Sequence, residues 1–312
     1  MFPSIRHRLI ILAAILICGW LWLLPATSLS TDDGSTGLSL MSARIGPVQA
    51  VGTALVIAAP VALLVLFVSA AGNPLAGLFV AGAGLVALAT RGGPINGWIM
   101  RLEDPTFGRT YQLLVVETLI WYAGLVLILL ASQGFRTSIR SAIRPLADSE
   151  HLGGASRIRV PSAEALLGGL LASAVGAILG SLLIKSSDSA QVIASLFIAF
   201  TIGGLVGQLF FPQDNPGPLL LSSGLVAIAT YGYVLFSFDS AQQLIEAWHD
   251  TTLPSWQGYP ALARALPVHY ASAAVAGTAV GIGWAQGIMA GHQDEDAEQK
   301  PSRSETAGRS AT

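Results

Sequence analysis

Charge is almost absent from eight long stretches of this chain, and each stretch is apolar around the whole helix circumference rather than along one stripe. The stretches run at about 9–25, 49–71, 74–90, 111–132, 164–184, 190–211, 217–238 and 270–290. Uncharged apolar runs of roughly 20 residues are long enough to cross a hydrocarbon core about 30 Å thick as helices. A transmembrane barrel would instead show segments of about 10 residues in which polar and apolar positions alternate. Solid runs predict helices, which keep their backbone hydrogen bonds to themselves where there is no water. The expected fold is all-α: a polytopic transmembrane helical bundle of about eight spans occupying residues 1–291. From His292 the chain turns polar, and 292–312 is expected to be a disordered cytoplasmic tail.

The first run has a second reading. Arg6 and Arg8 precede it, and Ser28-Leu29-Ser30 follows it as a small-x-small pattern, which is the layout of a cleaved signal peptide. Cleavage would leave seven spans. Against it, the run is long and holds Trp20 and Trp22, which suit an interfacial anchor, so the helix is expected to be retained.

Composition agrees with the hydropathy pattern. The chain has 312 residues, 53% of them hydrophobic and only 11% charged, with a mean hydropathy of +0.63; soluble domains carry about a quarter charged residues. A net charge of −2 with no basic domain excludes a nucleic-acid partner. The single cysteine, Cys18, lies inside the first run and cannot form an intrachain disulfide or a cysteine-rich zinc site. It also lacks the small preceding residues of a lipoprotein cleavage site. No cofactor is implied.

Arginine placement sets the expected orientation. Arg6 and Arg8 put the N-terminus in the cytoplasm. Eight spans then place the loop at 133–163 inside with Arg136, Arg140, Arg144, Arg157 and Arg159, together with a tail holding Lys300, Arg303 and Arg309. The loop at 91–110, expected outside, dissents with Arg91, Arg101 and Arg109. Arg136, Arg140 and Arg144 recur at every fourth residue and read as a topology anchor that meets anionic headgroups. The membrane expected is the cell (inner) membrane.

Two strings hint at internal duplication. Gly84 to Gly92 reads GLVALATRG and Gly224 to Gly232 reads GLVAIATYG, and each span opens near an Asn-Pro pair, Asn73-Pro74 and Asn215-Pro216. Two parallel four-helix repeats would be the consequence, although a chain rich in Gly, Ala, Leu and Val produces such matches by chance.

The sharpest chemical anomaly is Glu117, six residues into the fourth span and so roughly 9 Å below the outer interface. A carboxylate there costs a few kcal/mol unless protonated, paired or facing water. It is the candidate intramembrane polar site, either a proton- or cation-coupling group facing the bundle interior or a carboxylate reaching out to Arg109 or water. Glycines at four-residue spacing come next: Gly176 and Gly180, Gly203 and Gly207, Gly277 and Gly281, with Gly283, Gly287 and Gly291 on a neighbouring stripe. Such stripes let helix backbones approach closely, and their spread over three helices favours packing within the chain over dimerisation. Thr201, Gln208, Ser222, Ser223, Thr278 and Gln286 either line a hydrophilic path or bond across helices, the commoner case. Pro60 is expected to kink the second span. The third span, short and interrupted by Gly77, Gly82 and Gly84, is either a broken substrate-flanking helix or a helix buried behind others.

The outer loop at 239–269 is aromatic, with Trp248, Trp256, Tyr259 and Tyr270, and is expected to include a helix along the membrane surface. Within it Glu246, His249, Asp250 and His269 form a weak cluster able to bind a metal or do acid–base chemistry, although a lone ExxH more often marks a solvated face. No HExxH, GxSxG or P-loop pattern occurs. Three functions follow as expectations. The first is a small-solute permease. The second is a non-catalytic scaffolding or anchoring subunit, with a membrane partner or a second copy. The third is an outer-face enzyme, which rests only on the weak cluster. The lipid bilayer is the one partner all three share.

Overall fold

The computed structural model describes residues 5–31, 38–72, 74–92, 98–99, 104–142, 161–213, 215–249 and 261–298. Among these the chain is an all-α polytopic bundle. Its helices are α1 (Ile5–Leu23), α2 (Pro47–Ala71), α3 (Pro74–Ala89), α4 (Asp104–Ala142), α5 (Ala163–Leu183), α6 (Ser189–Phe210), α7 (Gly217–Ser237), α8 (Ala241–His249) and α9 (Val275–Glu298). A π-helical turn, Tyr270–Ala274, and a short helical entry, Pro267–His269, lead into α9. The described β contacts are two isolated bridges in the α1–α2 loop, Ser30 with Leu38 and Thr31 with Ala43.

Seven helices are long and apolar enough to cross a membrane, and α3 is a shorter apolar eighth. This is a multi-pass membrane protein. Its surface follows from the solvent: leucines such as Leu9, Leu12 and Leu16 on α1, Leu55 and Leu63 on α2, and Phe210 and Phe236 are exposed because lipid, not water, meets them. Helix starts follow local chemistry. Ser162 caps α5 by accepting from the Ala165 amide, and Asp188 caps α6 by accepting from the Ala190 amide. α2 runs through Pro60 as one helix. α9 continues past His292 to Glu298, farther than the apolar run, because Gln293, Glu295, Ala297 and Glu298 are good helix formers. The rest of the expected disordered tail lies outside the described residues.

α3 shows why the third span is short. It spans roughly 24 Å and is hidden behind its neighbours, with Leu78, Val80, Leu85 and Leu88 buried. Its glycines are the contact points. A Cβ on Gly77 would strike Ser69 and the Val65 carbonyl of α2, one on Gly82 the Ser272 carbonyl of the π-turn, and one on Gly84 would press on Cys18 of α1. The buried-helix reading of this span is the one the structure supports.

The packing has a two-fold pattern. α1 packs on α2 and α3, and α2 on α4; likewise α5 packs on α6 and α7, and α6 on α9. Between halves α3 lies on α9 and α4 lies on α7. Exchanging α1–α4 for α5, α6, α7 and α9 maps each of these pairs onto another. The matching strings do not follow that exchange, however. Gly84 faces α1 in its own half, whereas Gly224 faces Tyr122 of α4 in the other half. The two strings are therefore out of phase with the packing.

For reference below, the terminal side is the one where α1 begins and α9 ends; the loop side holds the connections after α1 and α7.

Candidate functional site

Glu117 is buried, at 1% exposure. It does not reach out to Arg109 or to water. The α1–α2 loop comes to it instead: the Ser39 hydroxyl donates to Oε2 at 2.6 Å and the Leu40 amide donates to the same oxygen at 3.0 Å. From one turn along α4, Trp121 Nε1 donates to Oε1 at 3.3 Å. Ser39 is itself held, its oxygen accepting from the Met41 and Ser42 amides at 3.2 Å each. Leu29, Leu38, Leu40 and Ala43 bury their side chains around this contact. Every partner of the carboxylate is a donor, so the local network is complete. Apolar burial supplies the reason for the loop to fold inward, and the carboxylate fixes its register.

A column of aromatic rings fills the space beside Glu117. Tyr111 of α4 lies 5.2 Å from Phe107 and 6.1 Å from Tyr231 of α7, and Tyr231 lies 6.3 Å from Tyr270, centroid to centroid. All three tyrosines are fully buried. Two hydroxyls hold the loop-side segment that precedes α9: Tyr231 donates to the Ala265 carbonyl at 2.7 Å and Tyr270 to the Leu262 carbonyl at 2.9 Å. Tyr122 Oη shares a 2.6 Å hydrogen bond with Ser223 Oγ, tying α4 to α7.

Arg264 completes the loop-side closure and was not legible as a site. It is 5% exposed, donates to the Lys185 carbonyl at 2.6 Å and the Trp248 carbonyl at 2.9 Å, and sits 5.3 Å from the Trp248 ring centroid. It thereby clamps the end of α5 and the surface helix α8 onto one segment. A cation over an indole face gains from the ring quadrupole. Ser189 Oγ donates to the Gly92 carbonyl, bringing the start of α6 against the end of α3.

Of the expected outer-loop cluster, the side chains of Glu246 and His269 are described, and they sit in different surroundings. Glu246 is exposed on α8 and accepts from Gln242 at 2.8 Å. His269 is buried at 1% exposure, its Nδ1 accepting from the Leu266 amide at 2.9 Å, where it stabilises the entry to the last span. The His249 side chain and Asp250 lie outside the described residues. Among the described residues no group of three His, Cys, Asp or Glu could hold a metal ion. The physical reason is orientation: α8 is amphipathic and turns Glu246 outward, while the π-turn segment is buried on every side.

Several polar residues inside the second half bond across helices or within their own, whereas the buried Ser222 hydroxyl and Gln208 Oε1 have no hydrogen-bond partner among the described residues. Thr201 donates to the Phe197 carbonyl and Thr278 to the Ala274 carbonyl, while Ser173 donates across to the Ser222 carbonyl at 3.2 Å. The packing glycines are all buried against neighbours. Gly176 meets the Phe200 ring, Gly180 meets Leu262, Gly203 meets the Ala172 carbonyl, and Gly207 meets the Gly168 carbonyl; Gly277 and Gly281 face the Phe197 and Thr201 carbonyls of α6. Gly283, Gly287 and Gly291 differ, since a Cβ on any of them would meet nothing. They form an exposed stripe on α9 beside Trp284 and Ile288.

No family model, curated protein or solved structure matches the chain.

Proposed function

We propose that this chain is a non-catalytic membrane subunit that anchors or scaffolds a partner inside the bilayer. The observation that carries this reading is the use made of Glu117. Its carboxylate is committed to the Ser39–Leu40 loop, and the neighbouring interior is filled by the Tyr111–Tyr231–Tyr270 column. A coupling site for transport needs a route for its ion, and the described residues around the Glu117 carboxylate tie it to the α1–α2 loop instead. The outward face offers what a partner helix uses: small residues at four-residue spacing, Gly283, Gly287 and Gly291, open to close backbone approach.

Both termini are read as cytoplasmic and the membrane as the cell membrane. Support comes from Arg6, Arg8, Arg136 and Arg140, which helix order puts at the terminal side, and from Lys300, Arg303 and Arg309 in the sequence that follows α9. The loop at 91–110 remains the dissenting segment.

A photo-crosslinking residue placed at position 287 in native membranes tests the reading. It should join the chain to a protein, whereas the same residue at position 52, on an open face of α2, should capture lipid. Lipid adducts alone from position 287, together with a proton or solute flux in liposomes that Glu117→Gln abolishes, would make the chain a permease instead.

A further inference from the structure

α4 and α5 both pack on α7 but make no extensive contact with each other. The space between them is a cavity of about 360 Å³, within the range of sites that bind small molecules. Its wall is apolar at depth, with Leu78 of α3, Val275 of α9, and Leu129 and Leu220. Exposed Leu130, Leu166 and Leu221 stand at its mouth, so it opens sideways toward the hydrocarbon. Polar groups are confined to the ends. Tyr122 closes the inner end with its hydroxyl already bonded to Ser223, and Gln133 and Asn215 form the rim at the terminal side.

Length and charge together select the occupant. From Tyr122 to Gln133 α4 rises roughly 16 Å, about half the thickness of the hydrocarbon core and so the depth of one leaflet. The face of α4 that lines the cavity carries Tyr122, Val126, Leu129 and Gln133, at alternating spacings of four and three. Continued along the same helix, this spacing reaches positions 136 and 140, and both are arginines. Apolar depth, one-leaflet length and two basic positions beyond a polar rim are the pattern for a lipid whose headgroup is an anion.

We infer that the cavity between α4, α5 and α7 is a binding site for one anionic phospholipid of the terminal-side leaflet. An acyl chain lies along Leu129 and Leu220, and the headgroup lies beyond Gln133, at the end of α4 whose sequence carries Arg136 and Arg140. The inference is independent of the partner reading, which concerns the Gly283–Gly291 stripe of α9.

The test uses the full-length protein in detergent, titrated with phosphatidylglycerol or with phosphatidylcholine of the same acyl chains, and read by native mass spectrometry. One phosphatidylglycerol should be retained, in preference to phosphatidylcholine by roughly thirty-fold, the effect of two arginines near a headgroup. Arg136→Gln with Arg140→Gln should abolish that preference. Leu129→Trp, which fills the cavity, should remove the adduct for both lipids. Leu221→Trp, at the exposed mouth where folding is little affected, should do the same and covers the case in which Leu129→Trp fails to fold. Excess inorganic phosphate should leave the lipid bound. Equal retention of the two lipids by the wild type, an adduct untouched by Leu221→Trp, or displacement by inorganic phosphate overturns the proposal.

Discussion

At the scale of single residues, the intramembrane polar groups of this protein act as fasteners. Glu117 is the clearest case, because its loss leaves the Ser39 hydroxyl, the Leu40 amide and the Trp121 indole without their acceptor. An orphaned buried donor costs about 1–3 kcal/mol, which outweighs the relief of removing a single carboxyl group from the bundle. Glu117→Ala should therefore loosen the α1–α2 loop. Met41→Cys, labelled with a membrane-impermeant maleimide, should react roughly tenfold faster in that background, the equivalent of about 1.4 kcal/mol; Glu117→Gln, which keeps an acceptor oxygen, should react at an intermediate rate. An unchanged labelling rate would show that the loop does not depend on the carboxylate. Arg264 makes a parallel prediction. Arg264→Met keeps the apolar stem but removes the donors to the Lys185 and Trp248 carbonyls, so amides of α8 should exchange hydrogen faster while those of α6 stay protected.

At the scale of elements, the glycines divide by what a methyl group would meet. Replacing glycine by alanine within a helix favours the helix by about 1 kcal/mol, whereas overpacking costs about 1–3 kcal/mol. On Gly281 the methyl would fall on the Thr201 carbonyl and the Leu205 amide, both backbone groups that cannot swing aside. Gly281→Ala should lower the thermal midpoint in detergent, and Gly281→Leu should prevent folding. Gly52→Ala, with nothing in reach, should hold or raise it. α1 belongs to this scale too. It packs along α3, with Gly19 on Ala87 and Cys18 on Gly84, and Trp22 meets Trp121 edge-on at 5.6 Å. Cleavage after Ser30 would strip these contacts and the Ser30–Leu38 bridge, so sequencing of the mature N-terminus should find α1 present.

The same scale explains what could be read in advance. The spans were legible because each is a long apolar run almost without charge, a signal carried by neighbouring residues alone. Glu117 stood out for the same reason, as a charge where none belongs. Its partners did not, since Ser39 and Leu40 are 78 and 77 positions away and sit in a loop with no periodic pattern. Arg264 was hidden by the rule that loop arginines face water or headgroups; nothing local says that 261–269 would be buried on all sides. His269 and Glu246 were grouped by proximity in sequence, yet one is interior and the other exposed, because the helix of one turns outward while the segment of the other runs into the bundle. Glycine spacing pointed to close helix approach, and it also flagged the Gly283–Gly291 stripe, whose open face only the three-dimensional packing distinguishes from the others.

At the scale of the whole molecule, a bundle with a fastened loop side and a filled aromatic interior directs attention to its lateral surface. Among the described residues, that surface departs from plain lipid-facing leucine at the groove between α4 and α5 and at the glycine stripe of α9. The central claim is that the stripe receives a partner. The most direct measurement is the mass of the particle extracted from native membranes in polymer-bounded lipid discs, for the wild type and for Gly287→Trp. The protein in the wild-type particle should weigh more than the 32.3 kDa chain, and Gly287→Trp should reduce it to the single chain with an unchanged thermal midpoint. A wild-type particle containing one copy of this chain and no other protein would contradict it.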